Sequence, residues 1–315
     1  MVEQIVKPID SIIADSRKQI QPYVFKRLES RRPRLPGKKI AKVITITSGK
    51  GGVGKTNLVA NMAICLAQAG RKVIVLDADL GLANIDVIFG IRPKKNITEV
   101  LNGTCTLEEV IVPGPCGVQI IAGGSGISEL AHLNPEASKR LFSELRLLED
   151  KTDYLLIDTG AGISQNVISF CLAADQIIVV TTPEPTALAD AYGVIKVVSQ
   201  QREDSNLWVL VNRAENQDEA GFILNRIQTV AWDFLKFRVQ HLGYIPQDKF
   251  MYLSVRQQTP LMLFSPMSPA ALQIRYIISN NFYEKTTEND VNKNEIKGIE
   301  GFIDRLSRLW NWEKA

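Results

Sequence analysis

The sequence predicts an α/β fold, a mostly parallel sheet with helices on both faces. From about Lys39 onward, short β-branched apolar runs alternate with longer helical stretches, the order that builds a parallel sheet under helices. Each run is too short and too apolar for a surface strand, so both sheet faces are expected to be covered. A glycine-rich turn also follows the first run and opens directly into a helix.

In chain order, strands are expected at Lys42 to Thr47, Val73 to Asp77, Val118 to Ala122, Tyr154 to Asp158, Gln176 to Thr181, Leu207 to Asn212 and Leu242 to Ile245. Helices are expected at Thr56 to Ala69 after the first strand, Pro135 to Leu148 before the fourth, Thr186 to Gln200 after the fifth, and Ala220 to Gln240. These make one domain over 40–283 without internal repeats. An extension (1–39), a flexible linker (284–298) and a last apolar segment (299–315) flank it.

The chain has 315 residues, 45% hydrophobic and 23% charged, which excludes collagen-like, low-complexity and wholly disordered proteins. No apolar run approaches the roughly 18 to 20 residues of a membrane span, and charges interrupt the isoleucines of Met1 to Ile20, so no signal-peptide core is expected. A cytoplasmic protein follows as the expectation. Cys65, Cys105, Cys116 and Cys171 form no C-x-x-C pair, which argues against a disulfide framework, a zinc ribbon or an iron–sulfur scaffold. Net charge is +3, but residues 1–39 carry ten Lys/Arg against four Asp/Glu, so the extension is basic and the body slightly acidic.

In the extension, Ile5, Ile9, Ile12 and Ile13 recur at i, i+4, i+7 and i+8, the spacing of a short amphipathic helix that either docks on its own domain or binds a partner. A basic, proline-broken stretch, Arg31 to Lys39, follows. At the other end, Glu284 to Gly298 has only Val291 and Ile296 as large apolar residues and reads as a linker.

The most specific signal is Gly49-Lys50-Gly51-Gly52-Val53-Gly54-Lys55-Thr56, followed by Asn57, between a buried strand and a helix start. This is the phosphate-binding pattern G-x-x-x-x-G-K-[ST]. Glycines let backbone N–H groups wrap a β-phosphate, and the helix N-terminus adds its positive dipole end. Lys55 is the phosphate-reaching lysine and Thr56 the hydroxyl ligand of Mg²⁺ that the pattern specifies. Leu155-Leu156-Ile157-Asp158 is an apolar strand ending in a carboxylate, the position that holds Mg²⁺ through water in such proteins.

The additional Lys50 gives the loop the form K-G-G-x-G-K-[ST], which resembles the deviant Walker motif of the MinD/ParA ATPases; the resemblance runs from residue 40 to about 282. It implies a Mg²⁺-dependent ATPase that forms a homodimer when ATP is bound, with Lys50 reaching the partner's phosphates. A positive charge delivered in trans stabilises charge on the transferred phosphoryl group, coupling dimerisation to hydrolysis. The segment Asp77-Ala78-Asp79 matches the family's D-x-D, which implies that Asp79 orients the attacking water and Asp77 supports the Mg²⁺ shell. Asn212-Arg213 and Pro246-Gln247-Asp248 resemble the family's adenine pocket, where an asparagine amide can both donate to and accept from the base edge.

The last segment places Ile299, Phe302, Ile303, Leu306, Leu309 and Trp310 on one helix face, with Glu300, Asp304, Arg305 and Arg308 on the other. Burying six such side chains contributes roughly 9 to 18 kcal/mol, against on the order of 12 to 24 for ordering a dozen residues. One tail is thus expected to bind membrane weakly, and two tails on one dimer to gain avidity of about 10² to 10⁴. The alternative is a helix docked on the α/β domain.

The run Thr181 to Lys196, T-T-P-E-P-T-A-L-A-D-A-Y-G-V-I-K, is similar to the flagellar branch of the family, the FlhG type. That branch sets flagellar number and placement and works with FlhF, an SRP-type GTPase. The D-Q-A-x-x-L-R motif usual in that branch's extension is not found. The resemblance implies a cytoplasmic ATPase reversibly at the inner membrane face, with FlhF and flagellar switch components as partners and nucleic acid not expected. A septum-site positioning ATPase of the MinD kind and a DNA-partitioning ATPase using Arg31 to Lys39 are the alternatives.

Overall fold

The computed structural model describes residues 40–79, 84–124, 135–282 and 296–310. The expected N-terminal helix and basic stretch, most of the expected linker, and Leu80, Gly81 and Leu82 beside Asp79 lie outside these residues. In chain order the elements are β1 (Lys42–Ser48), α1 (Lys55–Gln68), β2 (Val73–Ala78), α2 (Ile85–Phe89), α3 (Ile97–Leu101), α4 (Leu107–Val110), β3 (Ile111–Pro113), β4 (Gln119–Ile121), α5 (Pro135–Arg146), β5 (Tyr154–Ala161) and α6 (Gln165–Ala173). They continue with β6 (Gln176–Thr181), α7 (Pro185–Gln201), β7 (Leu207–Ala214), α8 (Gln217–Leu235), β8 (Gln240–Pro246), α9 (Lys249–Arg256), α10 (Leu261–Phe264), α11 (Pro269–Asn281) and α12 (Gly298–Leu309).

The sheet runs β3-β4-β2-β5-β1-β6-β7-β8, parallel throughout except for the antiparallel β3–β4 pair. β1 lies between β5 and β6, so the turn after Ser48 leaves the carboxyl edge near the middle of the sheet, where ligands of such sheets bind. On one face Ile44, Ile46, Leu156 and Ile178 pack under α1 and α11. On the other, Val43, Leu155 and Ile157 pack under α5, α6 and α12.

Differences from the sequence reading have physical causes. β3 was not expected; three partly exposed residues are too few to show a period. α6 was missed because Asn166 to Ala173 are all buried, which leaves no polar face to mark a helix. α8 stops at Leu235 instead of running to Gln240, since Lys236 turns left-handed at φ 53° and the chain enters β8. The expectation that every strand is covered on both faces fails at β8, an edge strand with Gln240 and His241 exposed.

The C-terminal helix α12 is docked in this structure, the alternative to the membrane-facing reading. Ile299, Phe302 and Ile303 are fully buried, and Leu306 and Trp310 nearly so, against the α/β domain. Phe302 stacks on Phe170 at 6.3 Å between ring centroids, and Trp310 meets Phe170 edge-on at 5.9 Å and Phe142 at 6.4 Å. In this state the face expected to meet a membrane therefore lies inside the protein.

The helix start is held from outside the helix. Glu149 accepts from Ile299 N at 2.6 Å and Glu300 N at 3.2 Å through Oε2, and from Ala41 N at 2.7 Å through Oε1. A carboxylate there satisfies donors the first turn cannot pair and complements the helix dipole. Arg305, expected on the solvated face, is instead a staple. It donates to Ala173 O at 2.7 Å, Ile296 O at 2.9 Å and Asp175 Oδ1 at 2.9 Å. Asp175 also accepts from Val43 N at 2.9 Å, so the tail and the start of β1 share one buried and one half-buried carboxylate.

Candidate nucleotide site

The turn from Ser48 to Lys55 is shaped by close backbone approach. A Cβ on Gly49 would strike the Asp190 carbonyl of α7. Gly54, at φ 93°, would strike the Asn212 amide and needs a conformation that L side chains rarely adopt. Val53 is buried in the core, which fixes the loop from beneath. The first turn of α1 thereby points its free N–H groups at the space above the sheet.

Lys55, Asp158 and Asp79 converge beneath that space. Lys55 Nζ lies 3.3 Å from Asp158 Oδ1 and 4.0 Å from Asp79 Oδ2. Asp158 is 1% exposed. Burial pushes its carboxyl up, while the nearby Lys55 charge and the Thr56 hydroxyl pull it back. Asp158 Oδ1 meets the Lys55 ammonium and, among the described residues, no closer donor, and the Thr56 hydroxyl helps keep the carboxylate charged. A buried acceptor left with spare capacity beside a hydroxyl suits a hydrated divalent cation, so Thr56 and Asp158 fit the Mg²⁺ expected there.

Asp77 has a structural part that its place in the sequence did not announce. It is fully buried and pairs in register with Asp158. Its oxygens are taken up by backbone: Oδ1 accepts from Asp79 N at 3.0 Å and Oδ2 from Ile85 N at 3.4 Å. It therefore fixes both ends of the segment that carries Asp79. Burial, then the neighbouring Asp158, raises its pKa to about 7.

Lys50, expected to reach across a dimer, folds back on its own chain. Its Nζ donates to Glu184 Oε2 at 2.9 Å and to Thr186 Oγ1 at 3.0 Å, and Lys50 in turn holds the Glu184 carboxyl below its usual range. Both side chains are well exposed, so the pair is weak and easily exchanged for a stronger anion. Lys50→Ala should keep nucleotide binding and lose the ATP-dependent dimer. Glu184→Ala should change dimerisation by no more than roughly fivefold, the ceiling for an exposed pair. Sedimentation velocity with ATP and with ADP reads both variants.

The adenine-pocket residues divide. Asn212 Nδ2 donates to Val53 O at 2.7 Å and its Oδ1 accepts from Arg213 N at 3.0 Å. Arg213 sits in the left-handed region at φ 59° and donates to Gly52 O at 2.9 Å, so both residues clamp the glycine loop. Pro246 pairs with Ala214, and Gln247 N bonds Ala214 O at 2.9 Å, which brings that segment beside Asn212. Asp248 is used structurally, capping α9 through Phe250 N and holding Ala270 N at the start of α11. Asn57 O accepts from the buried Asn61 side chain, whose oxygen in turn holds Met262 N.

Sequence reading missed Glu184 and Thr186 as partners of Lys50, although the motif containing them was visible. It also missed Glu149 and Asp175, whose partners lie more than a hundred residues away.

A parallel sheet with this loop, its second lysine and its strand-end aspartates defines a P-loop ATPase of the MinD/ParA family, and the chain belongs to that family. Residues 41–209 match the family model described as an AAA domain. The chain is 36% identical over 265 residues to the antiactivator FleN of Pseudomonas aeruginosa, covering 84% of this chain and 93% of that protein. It is 37% identical over 226 residues to the flagellum site-determining protein YlxH of Helicobacter pylori, covering 71% and 76%. Among solved structures, the septum site-determining protein MinD of Pyrococcus horikoshii, complexed with Mg-ADP, aligns with a TM-score of 0.63 at 27% identity, covering 76% of this chain and 96% of that one.

Proposed function

We infer that the protein is an ATP-dependent, dimerising switch that associates with the membrane and helps set flagellar number or placement. The observation that carries the switch is the pairing of two poised features. Lys50 is held in cis by an exposed, weak pair, and the apolar tail face is buried in the same chain.

In this reading Lys55 and the loop amides bind the phosphates, and Thr56 and Asp158 hold Mg²⁺, which neutralises phosphate charge when bound. Asp79, fixed through its backbone by Asp77, orients the attacking water. Lys50 leaves Glu184 for the partner's phosphates, and its charge stabilises the transferring phosphoryl group. Asn212 gives up Val53 O to read adenine, which ties base recognition to a change in the glycine loop.

Nucleotide reaches the tail through two contiguous routes. β1 leads into the glycine loop, and the amides of Ala41, just before it, and of Val43 bond to Glu149 and Asp175. α6 follows β5 and Asp158, and it carries Phe170 and Ala173, on which Phe302 and Arg305 rest. Closure of the loop and of the segment after Asp158 around ATP therefore loosens the seat of α12, and paired tails on a dimer hold a lipid surface by avidity.

The names of the relatives FleN and YlxH support the flagellar role, with FlhF and switch components as partners. The MinD neighbour supports a division role as the second reading. Affinity capture with the ATP-locked full-length protein separates them: enrichment of the flagellar GTPase or switch proteins is expected, and enrichment of division inhibitors instead would move the second reading forward.

A further inference from the structure

The groove that holds α12 has a second candidate occupant in the same chain. Aligned without gaps, Ile9 to Ile20 shares part of the apolar spacing of the docked segment Ile299 to Trp310. Ile9, Ile12, Ile13 and Ile20 fall where Ile299, Phe302, Ile303 and Trp310 are buried. Asp10 matches Glu300 in the first turn and Lys18 matches Arg308 in the last, the charge order a helix dipole favours.

The arm also starts at the right place. Ile40, where the extension joins the domain, lies against the start of the tail, since a Cβ on Gly298 would come within 2.7 Å of its side chain. α12 is 12 residues long, about 18 Å at the helical rise. The chain between Ile20 and Ile40 can span that distance several times over, at roughly 3.3 to 3.6 Å per extended residue.

We propose that residues 9–20 are a surrogate for the tail and occupy the Phe142–Phe170 groove as a helix once α12 has left it. The inference rests on the reading of the tail as a segment that leaves the core. Two differences set the order of preference. Ser16 stands where Leu306 is buried, and Asp15 stands where Arg305 pairs with Asp175, so it would meet that carboxylate as a like charge. The tail therefore wins while it is present, and the arm takes the vacated groove, keeping a large apolar surface from water in the membrane-bound form. A protein that binds the arm's isoleucine face competes with the groove for the same side chains.

Hydrogen exchange on the full-length chain tests this without nucleotide or lipid. The double variant Asp15→Arg/Ser16→Leu gives the arm the two groups it lacks. Exchange at 9–20 should slow by about tenfold or more and exchange at 299–310 should quicken correspondingly. Unchanged protection of both segments overturns the proposal.

A second variant, Phe302→Asp, expels the tail by a buried charge. Residues 9–20 should then gain protection that Ile12→Asp/Ile13→Asp removes. Free exchange of 9–20 and 299–310 together would sink the surrogate while leaving the tail-release reading intact. That reading fails separately, if ATP and lipid leave wild-type 299–310 as protected as before.

Discussion

Lys55→Ala abolishes useful nucleotide binding. The substitution removes the loop lysine whose ammonium meets both Asp158 and Asp79. Charge-assisted hydrogen bonds to phosphate are worth about 1.5 to 3 kcal/mol each, so affinity should fall by roughly 10²-fold or more. A second loss compounds the first. Asp158 is 1% exposed and Lys55 offsets the burial that raises its pKa. Without that charge the carboxyl drifts further toward its protonated form and becomes a poor partner for Mg²⁺. Removing one member of a buried pair also destabilises a fold by about 3 to 5 kcal/mol, so circular dichroism should accompany the titration. Equilibrium binding of a fluorescent ATP analogue checks the prediction, and affinity within a few-fold of wild type would contradict it.

Asp79→Ala should separate binding from turnover. Asp79 sits 4.0 Å from Lys55 at the mouth of the site, and its backbone N–H is fixed by Asp77. Loss of a positioned acid–base group costs roughly 10² to 10⁴ in rate, so the variant should bind ATP, dimerise and hydrolyse slowly. Phosphate release under single-turnover conditions measures it, and hydrolysis at the wild-type rate would show that another group orients the water.

The parallel sheet and its phosphate loop were legible because their signals are local. β1, the glycines and α1 follow one another without interruption, and two of the glycines, Gly49 and Gly54, answer a steric demand from one close neighbour. Strand-end aspartates were legible for the same reason, since apolar runs terminate at Asp77 and Asp158. Roles that depend on distant contacts were not. The bonds from Asp79 N and Ile85 N to Asp77 could not be read from its place at the end of an apolar run.

The tail shows the same limit more sharply. Its helical period was plain, but an apolar helix face does not say whether lipid or protein covers it. Arg305 was placed on the wet side by its period alone, yet Asp175, Ala173 and Ile296 surround its guanidinium. Nothing in the local sequence announces Glu149 as the cap of a helix that begins 149 residues later, at Gly298.

Liposome co-sedimentation of full-length Asp79→Ala, with ATP and with ADP, beside the same variant carrying Phe302→Asp/Leu306→Asp in the tail, tests the central claim most directly. Binding with ATP, little binding with ADP, and none once the apolar face carries charge would establish that nucleotide controls the buried tail. Binding that ignores the nucleotide, or that survives the charged tail, would contradict it.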